Sequence, residues 1–492
     1  MWWRSLALAS PPPVLEPRVG LDAVALVQIR TSTSNLVTTN PLLDGQVVGA
    51  IGGASGVVVD PTAVAAATEQ RVGLFTRYAP RLLDGRASLN GAFEIDFAWG
   101  DSAYGTGGNV GGGFGGDQVN LQTRRLSADV LARRGIASVR VEAGLQWLGD
   151  SELDPAGLGP DALFHAGAHG MLFASEAAGV VAYGRLADAW GTRFRGRLGL
   201  FTLSEQGFTV PDDVWVMVAD ASAVPGWRSS VGVHVAWMQD RSGGTGGALG
   251  QGPVSPLSAL QGGPSLDLYD GAPVPPDARA DADLVWLFAD VGYNPALGAG
   301  ALGATAMAGA LVGRLYAPLA PDDGVLGFFG DAELRWRWTQ GAGSVARVET
   351  LVTSGDDPNP DSYTGLVTGN SYGVAGAVYA THGMLLLFPD RGAINRLVSV
   401  VPDSSNAGRG LRAVTAGVGL DLVPDRLTTS VGLGTATDAA TVWMGTELNA
   451  AVVGRPLWGM DLGLRGAVLF PGPDLTGTPW TALLTLDWLV TP

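Results

Sequence analysis

Arg193, Arg195 and Arg197 alternate with Phe194, Gly196 and Leu198 along one short stretch of chain. In extended backbone every second side chain points the same way, so three guanidinium groups stand in a row about 7 Å apart. Phe194, Leu198 and Leu200 face the other way. Glu333, Arg335 and Arg337 repeat the arrangement against Leu334, Trp336 and Trp338. Arg140 with Glu142, Arg347 with Glu349, and Asp461 with Arg465 read as mixed pairs. Glu94 and Asp96 form an acidic pair, and Arg71 and Arg77 share a face of their strand. Rows of this kind do electrostatic work. Lining a tube, they create a field that orients and selects passing solutes; paired across neighbouring strands, they stiffen a polar interior.

The elements that carry these rows are strands with one apolar face. Ala87 to Trp99 places Leu89, Phe93, Ile95, Phe97 and Trp99 on one side and Ser88, Asn90, Glu94 and Asp96 on the other. The pattern returns at 138–147, 193–202, 230–238, 328–339, 443–453, 458–470 and 480–490. About ten residues of tilted strand cross a bilayer. An arginine facing lipid near the midplane costs roughly 2 to 4 kcal/mol, so the arginine rows are expected to face a lumen. Tyr293 to Gly313 lacks formal charge, but its Gly and Ala content favours a small-residue strand over a membrane helix.

Short and long connections alternate, as an up-and-down barrel with tight periplasmic turns and long outer loops requires. The turns include Leu83-Asp84-Gly85-Arg86 and Pro424-Asp425, and the long loops lie near 31–68, 101–117, 150–165, 240–282 and 354–369. The loop 240–282, then 101–117, are the candidates to fold inward. Two later runs, Gly373 to Phe388 and Ile394 to Val401, read as strands. The expected fold is all-β: a closed antiparallel transmembrane barrel over 19–492 after an N-terminal segment 1–18, with about 18 strands (range roughly 16–20). Trp99, Trp147, Trp190, Trp237, Trp443, Trp458 and Trp488 fall near strand ends, where interfacial girdles place aromatic rings.

Composition narrows the function. Charged residues make up 15% of the chain and apolar residues 46%, against roughly 25% charged in soluble domains. A net charge of −16, with no basic stripe, argues against nucleic acid. All 30 basic residues are arginine, so every cationic side chain stays charged and can hold a carboxylate bidentately. Gly417, Gly419, Gly432 and Gly434 keep one strand face small, leaving room in a lumen. Zero cysteine removes thiol catalysis, disulfides and thiolate metal sites. The first ten residues carry one arginine and run into Pro11 to Pro13, too short for a secretory apolar region; a removed signal or a different start is expected.

Motifs that resemble catalytic or metal sites do not hold together. Gly369-Asn370-Ser371-Tyr372-Gly373 has the spacing of a nucleophile elbow, but a strand-like run follows where a helix is needed, and His382 precedes Asp390. His165 and His169 lack a third ligand nearby, and Asp356 to Asp361 lacks the glycine of a calcium loop. No enzyme reaction, metal or cofactor is implied.

From about residue 19 to its end the chain resembles bacterial outer-membrane β-barrel channels of the porin type, through strand length, alternation, loop rhythm and the terminal strand Trp480 to Val490. It departs from them in ending on Leu489-Val490-Thr491-Pro492 after its last aromatic, Trp488. The resemblance implies a passive outer-membrane channel for small hydrophilic solutes or ions, with outer-membrane lipid and lipopolysaccharide as surroundings. It leaves monomer and homotrimer both open. Export or uptake of an anionic polysaccharide, as in alginate-export-like barrels, and a barrel enzyme or adhesin working through its outer loops are the alternatives. A secreted Gly-rich β-sandwich or solenoid is the reading outside the membrane.

Overall fold

The computed structural model describes residues 18–32, 47–49, 56–58, 65–80, 86–99, 119–150, 171–189, 192–204, 214–226, 228–241, 281–295, 297–298, 300–316, 323–339, 343–356, 362–369, 383–388, 399–401, 404–406, 408–473 and 477–490. Strand β1 (Arg18–Ser32) precedes a small hairpin of β2 (Val47–Gly49) and β3 (Gly56–Val58). There follow β4 (Ala65–Ala79), β5 (Ala87–Trp99), β6 (Val119–Arg134), β7 (Ala137–Gly149), β8 (Ala174–Ala189) and β9 (Thr192–Ser204). The middle of the chain supplies β10 (Val214–Pro225), β11 (Ser229–Asp240), β12 (Asp281–Tyr293), β13 (Leu302–Tyr316), β14 (Asp323–Arg337) and β15 (Val345–Thr353). After the two-residue β16 (Ser362–Tyr363) come β17 (Leu411–Val423), β18 (Leu427–Thr437), β19 (Trp443–Leu457), β20 (Met460–Pro471) and β21 (Trp480–Val490).

Apart from β2, β3 and β16, these strands form a closed antiparallel up-and-down barrel of 18 strands. Closure is made by β1, which pairs with β4 on one side and β21 on the other. The short turns lie at the end where β1 begins and β21 finishes; the longest connections, 241–280 and 354–410, lie at the opposite end. A strand of 13 residues such as β5 or β9, tilted by about 40°, rises roughly 30 Å, which is bilayer thickness.

Alternation assigns the two faces. Leu198, Val233, Leu326, Leu433 and Leu464 all point outward and are at least half exposed, and every wall of the barrel contributes such residues. A continuous apolar belt of this extent is incompatible with water and natural in lipid. Trp336, Trp443, Trp458 and Trp488 are exposed on it, and Trp215 stacks edge-on against Trp237 at 5.3 Å. Trp147 is not part of an outer girdle: it packs inward against Val24, Leu26 and Ala92. The side chains of Trp99 and Trp190 lie outside the described residues.

The reading of two later runs changes. The runs 373–388 and 394–401 are not barrel strands where they are described; residues 384–388 and 399–401 are irregular and buried inside the barrel. Their apolar content, which reads as a lipid-facing strand, serves an interior contact instead. The small-residue stretch beginning at Tyr293 is a strand from Leu302 onward. It is small because of what surrounds it: a Cβ added at Gly309 would lie 2.4 Å from Phe288 Cβ, 2.5 Å from the carbonyl oxygen of Leu287 and 2.7 Å from the Phe329 ring. Gly309→Ala is therefore expected to cost about 1 to 3 kcal/mol through overpacking, read as a lower urea midpoint for unfolding from lipid vesicles. An unchanged midpoint would show that the β12 backbone at Leu287 and Phe288 has room to move.

Candidate functional site

The interior is layered. Toward the long-loop end it is apolar and filled: Phe201, Val216, Met238, Trp286, Leu311 and Phe329 are buried on the inner wall. Against them pack Met171 to Phe173, Tyr363 to Val367, Met384 to Phe388 and Val400 to Val401. The Trp286 indole donates to the carbonyl of Val367 (3.0 Å) and meets Phe173 edge-on at 5.3 Å. An evenly polar lumen, the plain reading of the alternation, is therefore corrected: much of the inward face is apolar because chain from the long connections folds against it. Gly434 makes room for this, since a Cβ there would lie 2.6 Å from Met384 Sδ. The loops 240–282 and 101–117, expected to fold inward, lie outside the described residues apart from Asp240, Arg241 and the start of β12.

Below the apolar layer runs a girdle of ion pairs. On β9 the three arginines share one face, and their environments differ. Arg193 is exposed and donates to the carbonyl of Gly226 (3.4 Å); Arg195 is half-buried; Arg197 is buried and ion-paired with Asp220 on β10. The same guanidinium donates to the carbonyls of Gly149 (3.0 Å) and Asp150 (3.3 Å). From Asp220 the chain of contacts continues through His234 Nδ1 (3.1 Å) to His234 Nε2 and Asp290. Phe288 stacks on the imidazole at 4.7 Å. Arg197, Asp220, His234 and Asp290 thus form one relay across β9 to β12, held by registers that set Asp220 opposite both Arg197 and His234.

A second cluster depends on an irregularity. The β5/β6 register slips between Ala92 and Phe93, so Arg125 and Thr123 are paired and Arg124 is extra. A bulge of this kind lets two consecutive side chains share one face. Arg124 lies 3.8 Å from Glu94, which Arg71 also meets at 3.0 Å, and Arg125 is ion-paired with Glu142, where Ser127 donates as well (2.6 Å). Arg140 is the weaker partner of Glu142, at 3.8 Å, and lies over the Tyr183 ring. Glu94 and Glu142 are wholly buried. Arg77 is exposed near the short-turn end, and the side chain of Asp96 is outside the described residues.

On the opposite wall the register sets like against like, with Glu333 facing Glu349 and Arg335 facing Arg347. Attraction therefore runs along the strand: Arg335 Nε donates to Glu333 (2.7 Å). Arg335 and Arg337 reach the carbonyls of Pro295 (2.9 Å) and Leu297 (3.0 Å) in the β12/β13 turn, and Thr415 donates to Glu349 (3.4 Å). Asp461 pairs with Arg455 across a hairpin at 3.1 Å rather than with Arg465. Four residues of strand separate 461 from 465 by about 13 Å, beyond side-chain reach for a pair.

Sequence reading missed Arg124, Arg125, Asp220, His234 and Asp290. Asp220 and Asp290 were legible as single charges on the inner periodicity of their strands; the Arg124 bulge left no signal. The metal-like pair His165 and His169 and most of the elbow lie outside the described residues, and Gly369, its first residue, donates its N–H to the carbonyl of Leu172 (2.7 Å). No cluster of three potential metal ligands occurs among the described residues.

Fold and site together define a membrane-spanning β-barrel with a charged girdle and an interior narrowed by its own chain. No family model and no curated protein matches this sequence. Among solved structures it is similar to Pseudomonas aeruginosa OccK11 (OpdR), at 11% identity over 96% of both chains with a TM-score of 0.48. A BenF-like porin from Pseudomonas fluorescens Pf-5 shows 12% identity over 96% of this chain and 99% of its own, with a TM-score of 0.46. The anion-selective porin from Comamonas acidovorans shows 11% identity over 96% and 100%, with a TM-score of 0.43.

Proposed function

We propose that this protein is a passive channel of the bacterial outer membrane for small hydrophilic solutes or ions. The observation that carries the reading is the contrast between faces: an apolar belt outside, and inside it a girdle of charges whose members toward the short-turn end remain open to water. Arg193 is exposed, and Arg140, Arg335 and Asp461 keep side-chain exposures of 31%, 25% and 33%. Those partly wet groups set the field that a passing solute meets, whereas Arg197, Arg71 and Arg125 are neutralised by buried carboxylates. A path for an anionic polymer would need an unneutralised arginine row along the tube, and ion pairing at these positions weighs against it.

Reconstitution into planar bilayers tests the reading. Wild-type protein is expected to conduct, and the pair Arg193→Ala, Arg195→Ala to shift the reversal potential toward cations by on the order of 10 mV in a tenfold salt gradient, more at low salt. Absence of conductance would remove the channel reading. Conductance with unchanged selectivity would remove these two arginines from it.

A further inference from the structure

Two of the inward segments end on carboxylates of the barrel wall in the same manner. Glu447, on the inner face of β19 and wholly buried, accepts hydrogen bonds from the backbone N–H groups of Leu385 (2.9 Å), Leu386 (2.9 Å) and Leu387 (2.7 Å). Asp150, the residue after β7, accepts from the N–H groups of Met171, Leu172 (3.0 Å) and Phe173 (2.6 Å). Successive N–H groups turned toward one point form an anion-binding concavity. In both places the anion is the protein's own side chain. Asn449 braces the first, donating to Glu447 (3.0 Å) and to the carbonyl of Gly383 (2.9 Å).

The two segments belong to one strap. Val400 and Val401 donate to the carbonyls of Leu386 (3.0 Å) and Leu387 (2.9 Å), and Gly369 donates to Leu172 (2.7 Å). The Ser404 hydroxyl donates to Met171, and Thr353 donates to the carbonyl of Ser404 (2.8 Å). The strap runs from the β7 wall to the β19 wall, seven strands apart by the shorter way round the ring. Its described contacts link one carboxylate to the other.

We propose that Glu447 and Asp150 are latches that set the aperture of the channel, each carboxylate being the acceptor that keeps its segment folded across the lumen. Leucine side chains surround the three amides at Glu447, so without the carboxylate these donors lose their acceptor and the segment gains by swinging toward water. The aperture part rests on the channel reading; the latch does not.

The chain has no cysteine, so Leu386→Cys provides a single reporter in reconstituted protein. Leu386 is wholly buried, and its labelling by a membrane-impermeant maleimide is expected to be slow. Adding Glu447→Ala is expected to speed labelling about ten-fold or more and to raise single-channel conductance. Millimolar formate, but not chloride, is expected to reverse both by refilling the concavity; a merely loosened barrel would not respond to formate. Heat-modifiable migration reports that the barrel is folded, and Glu447→Leu, which removes the acceptor while keeping the volume, serves if the alanine variant does not fold. Unchanged labelling in folded variants overturns the latch. Faster labelling with unchanged conductance overturns the aperture role. If parent and variant both fail to conduct, the channel reading falls, and the labelling rate still decides the latch.

Discussion

Arg197→Met is expected to destabilise the barrel by about 3 to 5 kcal/mol, because it leaves a buried carboxylate without its cation. The arginine does three things at once: it pairs with Asp220 and supplies donors to the carbonyls of Gly149 and Asp150. Methionine keeps much of the volume, so the loss is electrostatic rather than a cavity. Asp220 retains its contact with His234 at 3.1 Å, which limits the effect to the lower part of the range. The double variant Arg197→Met, Asp220→Leu is expected to recover much of the stability, since removing both charges also removes the cost of burying them. Urea unfolding from lipid vesicles followed by tryptophan fluorescence measures both against wild type. A single variant as stable as wild type would mean that water reaches Asp220.

One residue further along the same strand, adding an arginine should do comparable harm. Leu198 points outward from the middle of β9 and is 57% exposed, and in a bilayer that exposure is to hydrocarbon. Leu198→Arg is expected to cost about 2 to 4 kcal/mol in vesicles. Leu198→Thr, which keeps strand propensity without a charge, should cost far less. In detergent, where the headgroup region is close to every point of the belt, the arginine penalty should shrink. Equal stability of Leu198→Arg in vesicles would place this face outside the hydrocarbon region and sink the assignment of the belt. Neighbouring residues thus predict opposite responses to the same side chain, which a soluble sandwich could not reproduce.

Much of the fold was legible because a strand's period of two is a local property. Leu89, Phe93 and Ile95 alternate with Ser88, Asn90 and Glu94 in sequence, and the faces follow without reference to any other part of the chain. Likewise Arg193, Arg195 and Arg197 fall opposite Phe194, Leu198 and Leu200 wherever the strand is placed. The two runs misread as strands fail for a related reason. An apolar run such as Met384 to Phe388 carries the same composition whether it meets lipid or the inside of a wall, and only the returning chain distinguishes them.

The site was legible one strand at a time and not between strands. Arg140 and Glu142 read as a mixed pair on one strand, yet the stronger partner, Arg125, reaches Glu142 from the neighbouring strand β6. Asp461 finds Arg455 across a hairpin whose register shifts between Gly454 and Leu457, and Glu333 faces Glu349, because cross-strand register depends on turn length and bulges rather than on the alternation of either strand. Glu447 sits on the inner periodicity of its strand like any other lumen charge, and no local feature marks it as the acceptor for residues sixty positions earlier. The sequence by itself therefore determined which residues of a strand such as β5 or β9 share a face, since that is written in the alternation. Tertiary structure decided which wet charges remain in water and which are used up in holding the barrel and its strap together, since ion pairing and interior filling are settled only when distant segments share one closed space.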